Sequence, residues 1–347
     1  MKKNDYFDVL TFGSITLDTF VHLCGFDKPL HDKKNFIVPI GEKIPICTAF
    51  KSTGGSSINC SMGFKSLGLK VGTFGFVGTD EIGTFILNQI KKQKIPADFI
   101  TVSKNSVSSF SVVLNTEDGR RSILHYRDPK EDFNAHHLLR APLTRAVYIG
   151  HMYTVSEDML SAIPKWKKEK KGIVAWNPGK TQFTQGFKKF KKIFPSIDVL
   201  ILNREESEQF TGLKAKKLNI RKATPEQIGT RIKINPAHIT ENIYDVRNIA
   251  KKFIEGGVSC VIITDGGHGA QLFDKKNHFF AAAPNVKIKS TLGAGDAFSV
   301  GVVSSVLSHR PVSEWLVWGT WSSGCVLQEL GTHKNLLTIS KLKKWMK

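Results

Sequence analysis

The segment 290–298, with sequence STLGAGDAF, has the residue types needed to bind an anion and to accept a proton. It lies between a strand-like run at 285–289 and an apolar run through Val306, which predicts a strand, a glycine turn and a helix. Small residues at 293–295 allow backbone N–H groups to approach an anion closely at the positive end of a helix. Asp296 falls in the first helical turn, where a carboxylate could take a proton from a hydroxyl. A helix merely capped by Gly and Asp fits the same residues, and the segment alone does not decide between these roles.

Strand-like and helix-like patterns alternate along the chain, which predicts a mainly parallel sheet with helices on both faces. The predicted strands are 8–13, 71–77, 146–150, 172–176, 199–202 and 258–264, and the predicted helices are 54–67, 80–92, 155–170 and 204–210. Two strand-like runs at 108–115 and 120–127, joined by Asp118-Gly119, predict a hairpin and a candidate lid. The polar, Lys-rich segment 212–246 is predicted to be an inserted surface segment.

The composition is that of a globular protein, with 347 residues of which 41% are hydrophobic. The 50 basic and 30 acidic residues give a net charge of +20, but only ten of the basic residues are Arg. The Lys runs fall at helical spacing, which favours solvated helix faces, so we do not expect a nucleic-acid partner. We find no signal peptide, no apolar run of membrane-spanning length and no Cys-x-x-Cys pair. We therefore expect a cytoplasmic protein with no membrane partner and no disulfide framework.

Four motifs carry a resemblance to one family. The run 293–296, preceded by Thr291, resembles the C-terminal signature of the ribokinase-like (PfkB) carbohydrate kinases. Gly54-Gly55 with Asn59, followed by spaced glycines from 68 to 83, resembles the family's N-terminal signature. Asn203 with Glu206 resembles its Asn-x-x-Glu motif, and 264–269 resembles its nucleotide-side glycine turn. The motifs occur in the family's order across nearly the whole chain.

The resemblance implies a ribokinase-like three-layer α/β/α sandwich with a mainly parallel central sheet. Residues 1–347 would form one kinase domain, with a small β-sheet lid contributed by about 16–50 and 105–128. The implied activity is the transfer of the γ-phosphate of ATP to a sugar hydroxyl, with ATP and Mg²⁺ as cofactors.

The resemblance and the local chemistry also assign site residues. Asp296 would be the general base, and the amides of Gly293, Ala294 and Gly295 would form the anion hole. The expected substrate contacts are Asp18, Gly55, Asn59, Arg127 and His151. The expected nucleotide contacts are Asn203, Thr264, Gly266, Gly269 and Lys180, with Glu206 holding Mg²⁺ through water. Structural alternatives remain for several of these: a capping box for Asn203 and Glu206, a surface lysine for Lys180, and a solvated arginine for Arg127.

Two departures from the family pattern leave details open. Ser290 stands where the family most often has Asp, so the use of a monovalent cation is uncertain. Ser56 replaces the family's lysine, as in nucleoside and ketose kinases of the group.

Three functions are compatible with these residues. The first is a kinase for a ketose, a pentose or a keto-acid sugar, indicated by a Tyr126-Arg127 lid edge. The second is a nucleoside (adenosine-like) kinase, whose base would stack on an apolar lid face formed by Phe110, Val112 and Leu114. The third is a non-catalytic sugar- or nucleic-acid-binding protein. The family also suggests a homodimer through the lid, driven by exposed apolar surface.

Overall fold

The computed structural model describes residues 6–23, 35, 37, 40–115, 121–128, 132–155, 157–234, 237–238 and 240–345. The turn predicted at Asp118-Gly119 lies outside these residues.

Eighteen strands are found in the described part of the chain. They are β1 (Phe7–Phe12), β2 (Thr16–Leu23), β3 (Ile46–Gly54), β4 (Val71–Gly78), β5 (Ile100–Ser103), β6 (Phe110–Asn115), β7 (Arg121–Tyr126), β8 (Asp132–Phe133), β9 (Thr144–Ile149), β10 (Thr154–Val155), β11 (Ile173–Trp176), β12 (Val199–Asn203), β13 (Lys216–Asn219), β14 (Thr230–Ile232), β15 (Asn242–Asp245), β16 (Cys260–Thr264), β17 (Ala270–Asp274) and β18 (His278–Ala281).

Twelve α-helices are found in the same residues. They are α1 (Ser56–Ser66), α2 (Glu81–Lys92), α3 (Ala135–Leu139), α4 (Glu157–Lys170), α5 (Lys180–Thr184), α6 (Phe187–Phe190), α7 (Arg204–Thr211), α8 (Pro225–Ile228), α9 (Arg247–Glu255), α10 (Ala294–Leu307), α11 (Val312–Leu327) and α12 (Ile339–Trp345).

Ten strands form the main sheet, in the order β14, β18, β17, β16, β12, β11, β9, β1, β4, β5. The strands from β16 to β5 run parallel, whereas β17 is antiparallel to both of its neighbours. Parallel strands need crossover connections, and the helices between them supply these. The mainly parallel sheet predicted from the alternating pattern is therefore confirmed.

Both faces of the main sheet are covered by helices. On β1, Val9 belongs to a buried cluster with Phe64 of α1 and Val300 of α10. The next residue, Leu10, belongs to the cluster on the other face, with Trp166 of α4 and Phe253 of α9. Because successive strand residues point to opposite faces, a strand buried on both sides is mostly apolar on both of them. The three-layer arrangement predicted from the sequence is confirmed.

A separate four-stranded sheet, which we call the small sheet, has the order β3, β2, β6, β7, with β2 and β6 parallel and the other pairs antiparallel. The predicted hairpin is present as β6 and β7. This sheet packs on α2 through a buried cluster that includes Leu17, Val77 and Ile86. Much of the predicted lid segment between β2 and β3 lies outside the described residues, and closure of this sheet over a site stays a prediction.

Two predictions about local structure need correction. The segment 212–246 is not only a surface insertion, because β14 pairs with β18 and extends the main sheet, and β13 pairs with β15. The strand predicted at 285–289 is absent. The N–H groups of Lys289 and Ser290 instead donate to the carbonyl of Leu327, at 2.8 and 3.3 Å. Apolar residues alternate with lysines here because Val286 and Ile288 line a cavity.

No helix within the described ranges has the length and apolar character needed to cross a membrane. Cys60, Cys260 and Cys325 are buried free thiols. Cys47 is disulfide-bonded, which the cysteine spacing did not predict.

Asp80 joins the start of α2 to the segment that enters β6. Its Oδ1 accepts from the N–H of Gly83 at 2.9 Å and from the hydroxyl of Ser108 at 2.6 Å, and its Oδ2 accepts from the N–H of Ser108 at 3.0 Å. Burial opposes ionisation, but the bonds from Ser108 and Gly83 outweigh it, so the pKa of Asp80 is lowered. We expect Asp80→Ala to cost about 2 kcal/mol of unfolding free energy at neutral pH, because a helix cap and charged hydrogen bonds are lost.

Urea unfolding at neutral pH and at about pH 3 would measure this effect. Because the folded carboxyl has the lower pKa, its stabilisation is present above the unfolded pKa and is lost as pH falls through the folded one. The difference between wild type and Asp80→Ala should therefore shrink in acid. Glu81→Ala, at an exposed neighbouring carboxylate, is the control and should change stability little. An equal loss in both variants would contradict the capping role.

Candidate active site

A cavity of about 380 Å³ opens at the carboxyl ends of the central parallel strands. Ser14 follows β1, His151 follows β9 and Asn177 follows β11, and all three line this cavity. Asn203 and Thr264, which end β12 and β16, line it as well. Parallel strands bring their carboxyl ends to one edge, where open α/β sheets bind ligands. We call this space the substrate cavity.

The anion-binding turn predicted at 293–295 forms the start of α10. Gly293 has φ 78°, in the left-handed region that favours glycine, and an added Cβ would lie 2.9 Å from a methyl carbon of Thr332. The N–H of Ala294 makes only a long 3.4 Å hydrogen bond to the carbonyl of Thr291. Among the described residues, the N–H groups of Gly293 and Gly295 have no acceptor. A helix start with free N–H groups is suited to an anionic ligand.

Asp296 points toward α1, which packs closely on α10. The approach is tight at Gly63, where an added Cβ would lie 2.9 Å from the side chain of Val300. Asn59 of α1 then reaches Asp296, and its Nδ2 donates to Oδ2 at 2.7 Å. The thiol of Cys60 lies 3.9 Å from Oδ1. Burial raises the pKa of Cys60, and the charge of Asp296 raises it further, so this thiol stays neutral beside the carboxylate.

A second carboxylate, Asp18 of β2, lies in the same cavity and is only 7% exposed. Its Oδ1 accepts from the hydroxyl of Thr16 at 3.1 Å and from the hydroxyl of Ser111. The pKa of Asp18 is raised, because the effect of burial outweighs the lowering by these two bonds and by the nearby charge of Arg127. Gly55, just before α1, lines the cavity beside it. Because Oδ2 has no hydrogen bond within the described residues, Asp18 can still accept from a bound hydroxyl.

One face of β7 and the residue after it contribute to the substrate cavity. Ile123, His125 and Arg127 line it, as expected for alternate residues of a strand. The Nη1 of Arg127 is buried and has no hydrogen-bond partner in the described part of the chain. A buried donor without an acceptor is costly. Arg127 is therefore suited to bind an acceptor or an anion that enters the cavity.

Asn203 and Glu206 form a reciprocal capping box at the start of α7 and also line the substrate cavity. Each bond of the box is 2.8 Å long. The pKa of Glu206 is raised, mainly by burial and further by the charge of Asp296, although the charge of His151 lowers it. The capping box, which is the structural role considered for this motif, is therefore present, and the same two residues also lie at the site. No group of three or more His, Cys, Asp or Glu side chains suited to a metal occurs in the described ranges.

A second cavity, of about 370 Å³, adjoins the first. Gly266, Gly269 and Ala294 line the second cavity alone, whereas Thr264 and Gly295 line both. The predicted nucleotide contacts in the glycine turn therefore lie in a space separate from Asp18 and Arg127. We call it the nucleotide cavity. The two cavities meet at the first turn of α10, beside Asp296.

Arg121, at the start of β7, reaches the nucleotide cavity from the small sheet. Its guanidinium donates to the hydroxyl of Thr291, and burial lowers its pKa. It has no carboxylate partner among the described residues. Sequence reasoning missed Arg121, although its alternation with Ile123, His125 and Arg127 was readable from the strand pattern.

Three sequence-based expectations do not fit the geometry. Lys180 is exposed at the start of α5 and lines neither cavity, because the chain turns into this helix at Gly179. Tyr126 does not line the substrate cavity but stacks on Phe110, with ring centroids 5.6 Å apart. On β6, Ser111 and Val113 line the cavity, whereas the predicted face of Phe110, Val112 and Leu114 does not. The period of two makes these faces mutually exclusive.

Comparison with known proteins decides the family. The pfkB family carbohydrate kinase profile matches residues 41–339. The chain belongs to this family. As a PfkB-family protein it is an ATP-dependent carbohydrate kinase, and its fold is ribokinase-like.

Among curated relatives, the 5-dehydro-2-deoxygluconokinase of Clostridium perfringens is 24% identical, with 98% of this chain and 93% of the relative covered. The enzyme of the same name from Lacticaseibacillus casei is 22% identical, covering 97% and 94%.

Two solved structures resemble the PfkB-family chain over nearly its whole length. The Arabidopsis thaliana ribokinase, complexed with ribose and ATP, has a TM-score of 0.74 at 17% identity, covering 99% of each chain. The Methanocaldococcus jannaschii nucleoside kinase has a TM-score of 0.71 at 18% identity, covering 98% of each chain. At these identities the resemblance establishes the fold of the family.

Proposed function

We propose that this PfkB-family kinase transfers the γ-phosphate of ATP to a hydroxyl of a keto-acid sugar, with Asp296 as the general base. The observation that carries the proposal is the position of Asp296 where the substrate and nucleotide cavities meet. A hydroxyl held by Asp18 and a triphosphate held along the glycine turn would approach each other at this point. Phosphoryl transfer depends mainly on such positioning and on electrostatic stabilisation.

The proton transfer follows from the hydrogen bonds of Asp296. Since Asn59 occupies Oδ2, Oδ1 is the atom that would take the proton of the sugar hydroxyl. The sugar oxygen then forms a bond to the γ-phosphorus, and the bond between that phosphorus and the β–γ bridging oxygen breaks to release ADP. The free N–H groups of Gly293 and Gly295 would bind the equatorial oxygens of the group in transit.

The residues present fit Mg²⁺ as an ion carried mainly by the nucleotide. Mg²⁺ is usually held through one or two carboxylates together with substrate phosphates and water. Glu206 presents one carboxylate oxygen outside its capping bond, beside Asn203 in the substrate cavity. When bound, the ion would neutralise charge on the phosphates. The hydroxyl of Ser290, at the position considered for a monovalent cation, accepts from the N–H of Leu292 at 3.2 Å.

The side chain of Arg127 favours one chemical class of substrate. A sugar that carries a carboxylate would give its buried, unpartnered Nη1 an anionic acceptor, while Asp18 accepts from the sugar hydroxyls. The relatives named 5-dehydro-2-deoxygluconokinase act, by that name, on such an acid. A nucleoside is less well matched, because histidine is the only ring among the described residues that line the substrate cavity.

A coupled assay of ADP release with a panel of keto-acid sugars, ketoses, pentoses and nucleosides tests this proposal. We expect the highest kcat/KM with a keto-acid sugar. A nucleoside turned over faster than every sugar would overturn the acceptor class but not the kinase chemistry. Absence of turnover with the entire panel would likewise overturn the proposed acceptor class.

Arg121, at the start of β7, and Arg127, directly after this strand, should have separable effects. We expect Arg127→Met to raise KM for the sugar acid about 10- to 100-fold, because a hydrogen bond to a charged group is worth about 1.5–3 kcal/mol. KM for ATP should change little. Arg121→Met, at the other cavity, should show the reverse pattern. Initial rates with both substrates varied measure each KM, and equal effects of both variants on both substrates would contradict the assignment.

The small sheet also exposes apolar side chains. Ile46, Leu124 and Tyr126 are 53%, 61% and 39% exposed. We propose that a homodimer covers this surface, and sedimentation of wild type and Leu124→Glu tests it: the variant should be monomeric. A cytoplasmic location likewise stays a prediction.

A further inference from the structure

Asn59 has a fixed amide orientation. An ionised carboxylate can only accept hydrogen bonds, so the Asn59 atom that lies 2.7 Å from Oδ2 of Asp296 must be the Nδ2 donor. The other amide atom, Oδ1, is therefore turned away from Asp296. It lies 2.9 Å from Nε2 of His333. Since Oδ1 is an acceptor, Nε2 of His333 must carry the proton that forms this bond.

The rest of the His333 environment agrees with that tautomer. Burial lowers the pKa of His333 to about 4, so the ring is neutral near pH 7 and only one of its nitrogens is protonated. Nδ1 is then an acceptor, and the hydroxyl of Thr53 lies 3.5 Å from it. The three hydrogen bonds therefore run in one direction. The hydroxyl of Thr53 donates to His333, Nε2 of His333 donates to Asn59, and Nδ2 of Asn59 donates to Asp296.

The segment that carries His333 also packs on the anion-binding turn. Thr332 is buried and lies against Gly293. The loop after α11 is thus in contact with both parts of the proposed catalytic apparatus, the turn through Thr332 and the carboxylate through His333 and Asn59. The position of this loop suits it for holding the anion-binding turn and the carboxylate of Asp296 in a fixed arrangement relative to each other.

We propose that His333 is a positioning residue for phosphoryl transfer: its Nε2–H fixes the amide of Asn59, and Asn59 in turn holds Oδ2 of Asp296 so that Oδ1 faces the acceptor hydroxyl. The inference rests on the proposed function of Asp296. Without the bond from His333, the Asn59 amide can rotate, and the carboxylate loses its fixed orientation. Small losses of alignment between reacting groups cost up to about 100-fold in rate.

A pair of conservative variants tests which ring nitrogen matters. The amide nitrogen of Gln can occupy the position of Nε2, whereas that of Asn reaches only the position of Nδ1. We expect His333→Gln to retain kcat and His333→Asn to lower it about 10- to 100-fold, with KM for ATP unchanged in both. Wild-type kcat in His333→Asn, or equal losses in the two variants, would overturn the proposal. Urea unfolding of both shows whether a loss reflects stability.

A double-mutant cycle with Asn59→Ala separates positioning from packing. If His333 acts only through Asn59, adding His333→Leu to Asn59→Ala should cause no further loss of kcat. Multiplied losses would mean that His333 acts on the rate independently of Asn59, and the proposal would fail. Because this cycle compares losses of kcat between variants, its result does not depend on whether Asp296 is the general base.

A measurement without turnover uses wild-type protein labelled with ¹⁵N-histidine. Two-bond ¹H–¹⁵N correlation spectra at neutral pH distinguish the two neutral tautomers, and the His333→Gln variant assigns the signal. We expect protonated Nε2 and unprotonated Nδ1; a protonated Nδ1 would overturn the inference. If the tautomer is as expected but Asp296→Asn retains full turnover, the proposed function fails while the hydrogen-bond arrangement stands.

Discussion

Asp296→Asn should lower kcat on the order of 10³-fold with the best acceptor sugar, while KM for ATP changes little. The amide cannot take the proton of the hydroxyl, and positioned general bases contribute about 10²- to 10⁴-fold. The substitution is nearly isosteric, and the new side-chain oxygen can still accept the bond that Asn59 donates at 2.7 Å in the wild type. The loss should therefore report on chemistry rather than on misfolding. Single-turnover kinetics with saturating ATP measure it directly.

Asp274→Asn is the matched control. This carboxylate belongs to the last residue of β17, accepts from the backbone N–H groups of Lys276 and Asn277, and lines neither cavity. Its substitution should leave kcat unchanged. If Asp296→Asn lost less than a few-fold in kcat, the proton would have to go elsewhere and the proposed role of Asp296 would be rejected.

Gly295→Ala should separate stability from activity. An added Cβ at this position meets no protein atom within 4 Å, and the residue lies in the first turn of α10. Alanine in a helix is favoured over glycine by about 0.5–1 kcal/mol, so the free energy of unfolding should stay the same or rise. The methyl group would project where the two cavities meet, and would keep a phosphoryl group from the free N–H groups. We expect kcat/KM to fall about 100-fold or more, as after loss of a donor to a developing anion.

Gly267→Ala provides the comparison. Its added Cβ also meets no atom within 4 Å, but Gly267 lines only the nucleotide cavity. The effect there should be confined to KM for ATP and should be smaller than that of Gly295→Ala. Urea unfolding and initial rates on both variants give the two quantities. Full activity in Gly295→Ala would place the transferred phosphate away from this turn.

Local patterns in the sequence predicted the site residues that lie in or beside regular elements. Asp296, Asn203 and Thr264 each fall at a strand end or helix start, and a parallel sheet necessarily brings such positions to one edge. Alternation within a strand was equally readable. The sequence did not show which of the two faces of a strand meets the site. Ser111 and Val113 were therefore missed, and the face of Phe110, Val112 and Leu114 was chosen instead. Periodicity defines the two faces, but the packing of other elements decides which one is buried at a cavity.

The residue pattern alone was sufficient to predict a mainly parallel α/β protein and four glycine- and carboxylate-bearing motifs in the PfkB order, because periodicity and turn residues act over a few neighbouring positions. Three features emerged from the folded chain: Arg121 and Arg127 enter different cavities, Lys180 enters neither, and His333 meets Asn59 across 274 residues of chain. Such contacts depend on how separate elements pack, and no local pattern encodes the partner of a side chain so distant in sequence.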